Sequence, residues 1–73
     1  MKSMWFYIRK NAKKTQKDIA NDFGCSVSYI HKIESGKDKM PVKFQIYYLK
    51  LRNAEEDKIV IEYLERGLEG WNV

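Results

Sequence analysis

Apolar residues recur along this chain at spacings of three and four, while alternation at period two never persists, so the pattern predicts helices throughout and no strand. A first helix is expected over about residues 3–11, with Trp5, Ile8 and Met4 as its core face. Thr15 reads as an N-cap and Asp18, three residues on, as the acidic half of a capping box, which starts a second helix near Gln16 and ends it before Gly24. Ile19, Ala20 and Phe23 then face inward, and Gly24 suits the left-handed position that closes a helix and turns the chain sharply. Ser26 or Ser28 caps a third helix. In it Val27, Ile30 and Ile33 are candidates for packing, while Ser28, Tyr29 and Lys32 point away.

Pro41 fits the first turn of a fourth helix running to about Leu51. Its Phe44, Ile46, Tyr47, Tyr48, Leu49 and Leu51 are more apolar than one face requires, so something must cover the excess. Asn53 with Glu56 makes a second capping-box pattern, and "AEEDKIVIEYLERGLEG" opens with three acids where the helix dipole favours them. The apolar residues of this fifth helix, Ile59, Val60, Ile61, Tyr63, Leu64 and Leu68, spread over more than one stripe, with Trp71 near the end. One broad core-facing side would account for them, and so would a second stripe that pairs two copies.

Composition bounds what such a bundle can do. At 73 residues the chain is read as one domain, 1–73, with 54–73 a C-terminal helix and tail, and with 44% apolar residues it is folded rather than disordered. The only apolar run near the start, "MWFYI", is far too short for a signal-peptide core or a membrane span, so a cytoplasmic location is expected. One cysteine, Cys25, makes no internal disulfide and reads as a small buried or half-buried residue. The charge is sharply divided. Residues 1–53 hold 12 Lys/Arg against 4 Asp/Glu, a charge of +8, whereas residues 54–73 hold 2 against 6, a charge of −4. That asymmetry suggests a basic surface for a polyanion, followed by an acidic element used differently.

Other chemistry finds little support. His31 stands three residues before Glu34, but with no second His or Cys nearby no metal site is expected, and His31 reads as a partly exposed residue at the edge of a docking surface. There is no Ser-His-Asp set and no glycine-rich phosphate loop, so neither catalysis nor a cofactor is expected.

A short helix, a tight turn containing Gly and a second short helix make a helix-turn-helix unit, whose second helix can enter a DNA major groove. Here the residues carry a family resemblance. The stretch "TQKDIANDFGCSVSYIHKIESGK", residues 15–37, resembles the Xre/Cro/cI-type helix-turn-helix repressors through Thr15, Gln16, Ala20, Gly24, Ile30, Glu34 and Gly36. With Arg9 upstream and Pro41 downstream, the likeness covers roughly residues 5–52. It implies an all-α, five-helix, lambda-repressor-like fold with the helix-turn-helix at helices 2 and 3.

By the same resemblance, Gln16 binds a backbone phosphate and Val27, Ser28, Tyr29 and Lys32 occupy the places that read base edges. Lys32 can donate to guanine O6 and N7, Ser28 can serve as donor or acceptor, and Val27 can touch a thymine methyl. Lys37, Lys39 and Lys43 are placed to clamp phosphates, and Lys14 and Lys17, beside Lys10 and Lys13, add a second basic edge. Arg9 and Glu34 match a structural ion pair. The chain departs from the family at Lys13 and Lys14, where a glycine and a leucine are usual, so the first turn must be built differently.

The expected function is a sequence-specific duplex-DNA-binding transcriptional regulator, a repressor of Cro-like size from a phage or mobile element, acting as a homodimer through Tyr63, Leu64, Leu68 and Trp71. The alternative is a protein-interaction module on the same fold, an anti-repressor or antitoxin, that uses the C-terminal helix.

Overall fold

The computed structural model describes residues 3–70, with side chains through residue 67. Five helices follow one another, α1 (Met4–Asn11), α2 (Gln16–Phe23), α3 (Val27–Ser35), α4 (Val42–Arg52) and α5 (Asp57–Gly70), and no strand occurs among the described residues. Their ends are set locally. Ser3 caps α1 by accepting from the Phe6 amide, and its Oγ donates to the Glu34 carbonyl oxygen at 2.6 Å, which ties the start of α1 to the end of α3. The capping box at α2 forms, with Asp18 N–H donating to Thr15 Oγ1 at 3.0 Å and Thr15 N–H to Asp18 Oδ2 at 2.9 Å. Ser26, not Ser28, caps α3 by accepting from Tyr29 N–H. Ser28 is therefore left facing outward.

Two expectations are corrected at the helix ends. Pro41 sits at the N-cap of α4, one position before its first turn. The Asn53–Glu56 capping box does not form, because Asn53 adopts φ +53° and closes α4 in the left-handed conformation instead. The chain then makes a turn, with Asp57 N–H on the Ala54 carbonyl at 3.0 Å, and Asp57 alone supplies the acid in the first turn of α5. Asp57 is 4% exposed and paired through both carboxylate oxygens with Arg52, a fork that joins the end of α4 to the start of α5.

The core gathers Ile8, Ile19, Ala20, Ile30, Ile33, Met40, Phe44 and Tyr48, with Trp5, Phe23, Cys25 and Leu51 packed around it. Each fully buried large side chain contributes about 1.5–3 kcal/mol of transfer free energy. Met4 is not among them. It is 51% exposed, since α1 turns Trp5, Ile8 and Arg9 inward instead. The excess apolar surface of α4 is covered from two sides, by α1 and by α5, with Leu49 and Ile61 lining one cleft between α4 and α5. No helix among the described residues is long and apolar enough to cross a membrane.

Candidate nucleic-acid interface

Three residues, Gly24, Cys25 and Ser26, join α2 to α3. Gly24 takes φ +66°, its N–H reaches the Asn21 carbonyl at 3.3 Å and the Cys25 N–H reaches the Ala20 carbonyl at 2.9 Å, so the last turn of α2 is closed by backbone alone. Half-buried Cys25 packs against the core and anchors this turn. α1 ends in the same way although no glycine is present. Lys13 holds φ +59°, with Lys13 N–H on the Lys10 carbonyl at 3.0 Å and Lys14 N–H on the Arg9 carbonyl at 3.1 Å. Arg9 Nη1 also donates to the Lys14 carbonyl at 2.9 Å, so the unusual turn is braced from the core.

α3 is oriented by its buried side. Ile30, Ile33 and Glu34 are buried, while Val27, Ser28, His31, Lys32 and Ser35 are exposed. Glu34 is the hub. Its carboxylate accepts from Arg9 Nε at 2.6 Å, Arg9 Nη2 at 3.2 Å, the Tyr48 hydroxyl at 2.6 Å and Gln16 Nε2 at 3.3 Å. With Arg9 and Glu34 both buried, this bidentate pair needs every one of those partners, because a buried charge left without them is strongly destabilising. Burial first, and then the hydrogen bond to Glu34, push the Tyr48 hydroxyl well above the usual phenol range, so it remains a proton donor. Four helices, α1 to α4, thus meet at one carboxylate.

The arrangement changes how two of the expected contact residues are read. Tyr29 is half-buried, its ring edge-on to Phe44 at 5.9 Å between centroids, so it packs against α4 rather than standing clear on the outward face. Lys43 lies over the rings of Phe23 and Phe44, at 5.9 and 5.6 Å from their centroids, which fixes its ammonium at the α2–α4 edge. The neighbouring Tyr47 hydroxyl donates to Asp22 at 2.8 Å and is pushed up to about 12, chiefly by burial and then by that carboxylate. Gln16 directs one amide hydrogen to Glu34, which leaves the rest of its amide at the start of α2, where free backbone N–H groups favour an anion.

Among the described residues, the lysines from Lys10 to Lys43 differ from the cations that follow them. Lys10, Lys13, Lys14, Lys17, Lys32, Lys37, Lys39 and Lys43 have no ion pair among the described residues, whereas Lys50, Arg52, Lys58 and Arg66 all reach carboxylates. Three of the four acids in residues 1–53 are used elsewhere: Asp18 caps Thr15, Asp22 accepts from Tyr47 and Glu34 holds Arg9, while Asp38, between Lys37 and Lys39, forms no ion pair among the described residues. The Asp18 carboxyl is correspondingly held below the ordinary range by its bonds to the Thr15 backbone and hydroxyl. The Asp22–Tyr47 bond and the absence of ion pairs at these lysines were not visible in the sequence, which shows charges but not their partners.

The residues expected to pair two copies are only partly described. Tyr63 is 76% exposed and Leu64 half-buried, while the Leu68 side chain and Trp71 lie outside the described residues. Ile59 and Val60, at 78% and 47%, join Tyr63 on the outer side of α5. No group of His, Cys, Asp or Glu among the described residues could hold a metal.

A helix-turn-helix family model matches residues 7–41, which run from the middle of α1 to the N-cap of α4 and contain the whole α2–α3 unit. No curated protein and no solved structure matches the chain. The family match, on a five-helix, all-α fold built around that unit, supports a DNA-binding helix-turn-helix regulator of the Xre/Cro/cI type.

Proposed function

We propose that this chain is a sequence-specific, duplex-DNA-binding repressor that occupies an operator as a homodimer in the cytoplasm and excludes polymerase from it. The observation that carries the reading is the uncommitted charge around α3, where the lysines from Lys10 to Lys43 lack an ion pair among the described residues. Such a surface is attractive to phosphates, whose condensed counterions are released on binding. Gln16, Lys14, Lys17, Lys37, Lys39 and Lys43 supply sequence-independent affinity. Selectivity comes from the exposed side chains of α3, with Lys32 donating to guanine O6 or N7, Ser28 to either sense and Val27 touching a thymine methyl.

One observation supports the homodimer: Ile59, Val60 and Tyr63 leave an apolar stripe on α5 that nothing in the described chain covers, and a second copy would bury it isologously. The same stripe would serve an anti-repressor or antitoxin that binds a different protein.

The test is selection of bound duplexes from a random-sequence pool, followed by sedimentation of the wild type and of Ile59→Ala with Tyr63→Ala. A two-fold symmetric motif with half-sites one turn apart, and a shift of the variant toward monomer, are expected. Recovery of no motif would overturn the regulator reading. An unshifted dimer would move the interface off α5.

A further inference from the structure

The α3 surface carries one side chain whose role the family match leaves open. Within the DNA-binding reading, on which this inference rests, we propose that His31 is a base-reading residue that replaces Tyr29 on the specificity surface and donates to a purine edge in the major groove.

The placement follows from helix geometry. Residues three and four apart are neighbours on a helix surface, so Ser28 touches the positions of both His31 and Lys32, and each of those neighbours Ser35. These four exposed positions form a diamond, with Val27 extending the His31 side by one turn. Opposite them lie buried Ile30, Ile33 and Glu34. Tyr29 falls outside the diamond, on the flank toward α4, where Phe44 holds its ring. His31 stands on the other flank, one turn before Glu34, and Glu34 accepts from Gln16. The imidazole therefore lies on the side of α3 that faces the start of α2, between the exposed centre of the reading helix and the expected phosphate contact of Gln16.

Its neighbours leave it the work. Ser35 Oγ donates to the Lys32 carbonyl at 3.1 Å, which turns that hydroxyl back onto the helix. The imidazole of His31 makes no hydrogen bond, ion pair or ring contact among the described residues. A nitrogen-bound hydrogen presented into a groove about 12 Å wide meets purine N7, and in guanine also O6, as acceptors. Lys32 offers the same chemistry from the other flank of Ser28, so two donors about one helix diameter apart would select purines at separate base pairs.

Random-pool selection on wild type, His31→Ala, His31→Gln and Tyr29→Phe decides the matter, with thermal unfolding confirming that each variant folds. His31→Ala should lose its purine preference at one position of each half-site, about five- to tenfold in discrimination, while the remaining positions are kept. His31→Gln should shift that position toward adenine, and Tyr29→Phe should leave the motif unchanged. An unaltered motif for His31→Ala, including one accompanied by weaker salt dependence as for a phosphate contact, overturns the inference and spares the regulator reading. A wild type that yields no motif overturns both.

Discussion

From Arg9 to Lys43 the positive charges of the chain, Arg9 excepted, stand without ion pairs among the described residues, while those from Lys50 onward are neutralised one by one: Lys50 by Glu65, Arg52 by Asp57, Lys58 by Glu55 and Arg66 by Glu62. The two regions solve different problems. In the α4–α5 hairpin, acids and bases at helical spacing or across the connection fasten a peripheral helix, each exposed pair adding at most about 1 kcal/mol. Around α2 and α3, three acids cap a helix, orient a tyrosine and hold Arg9, so the lysines outnumber the acids left to offset their mutual repulsion. Uncompensated repulsion lowers stability, and a bound polyanion would remove it.

The largest effect should come from the one ion pair of the first region. Glu34→Ala strips Arg9, Gln16 and Tyr48 of a common acceptor and leaves a buried guanidinium without its counter-charge, which should cost about 3–5 kcal/mol in urea unfolding. Tyr48→Phe removes a single bond to the same carboxylate and should cost about 1.5–3 kcal/mol. A loss below 1 kcal/mol for Glu34→Ala would mean that the hub is not what holds α1, α3 and α4 together.

Next in size is the salt response. If Lys14, Lys17, Lys37 and Lys39 meet phosphates, changing all four to Gln should reduce the log–log slope of affinity against salt by about 3 to 4, on the order of 10²-fold less change between 50 and 200 mM. Lys58→Gln with Arg66→Gln, drawn from the paired region, should leave the slope where it was. Equal slopes for the two sets would erase the distinction between the regions.

The hairpin should fail first in acid. The Arg52 guanidinium, by its hydrogen bonds, holds the Asp57 carboxyl below the ordinary range, so this pair stabilises α5 at pH values above the unfolded carboxyl's value of about 4 and is lost as pH falls through the depressed one. Amide hydrogen exchange should show α5 losing protection in that window, with α2 weakened only at its Asp18 cap and α3 keeping its own. Simultaneous loss in all helices would show that α5 is as deeply committed as the core.

How much of this was legible in the sequence depended on how local the cause was. The Thr15–Asp18 box and the Gly24 closure lie within a few residues of the groups they satisfy, and both appear where the pattern put them. Asn53 misled because the same side chain suits an N-cap and the left-handed end of the preceding helix, and the chain takes the second, with Arg52 and Asp57 paired across the turn on either side of it. Tyr29 could not be placed without Phe44, fifteen residues away and adjacent only in the fold. Arg9 with Glu34 was suggested by the family likeness alone. That Tyr48 and Gln16 share the same carboxylate had no sequence signal at all.

The smallest effect bears most directly on self-repulsion. Lys13 holds φ +59° at the end of α1, a conformation that a side chain disfavours by about 1–2 kcal/mol, and Gly there should stabilise the domain by about 1 kcal/mol after its larger unfolded-state entropy is counted. Lys10, three residues earlier, lies within α1, where the same change to Gly should destabilise by about 0.5–1 kcal/mol. Both variants remove one lysine from the same basic edge. Opposite signs in thermal unfolding would assign the gain at Lys13 to its backbone. A stabilisation by both would mean that relief of repulsion among the unpaired lysines outweighs helix propensity, and the charge imbalance of this region would then be the dominant weakness of the free domain.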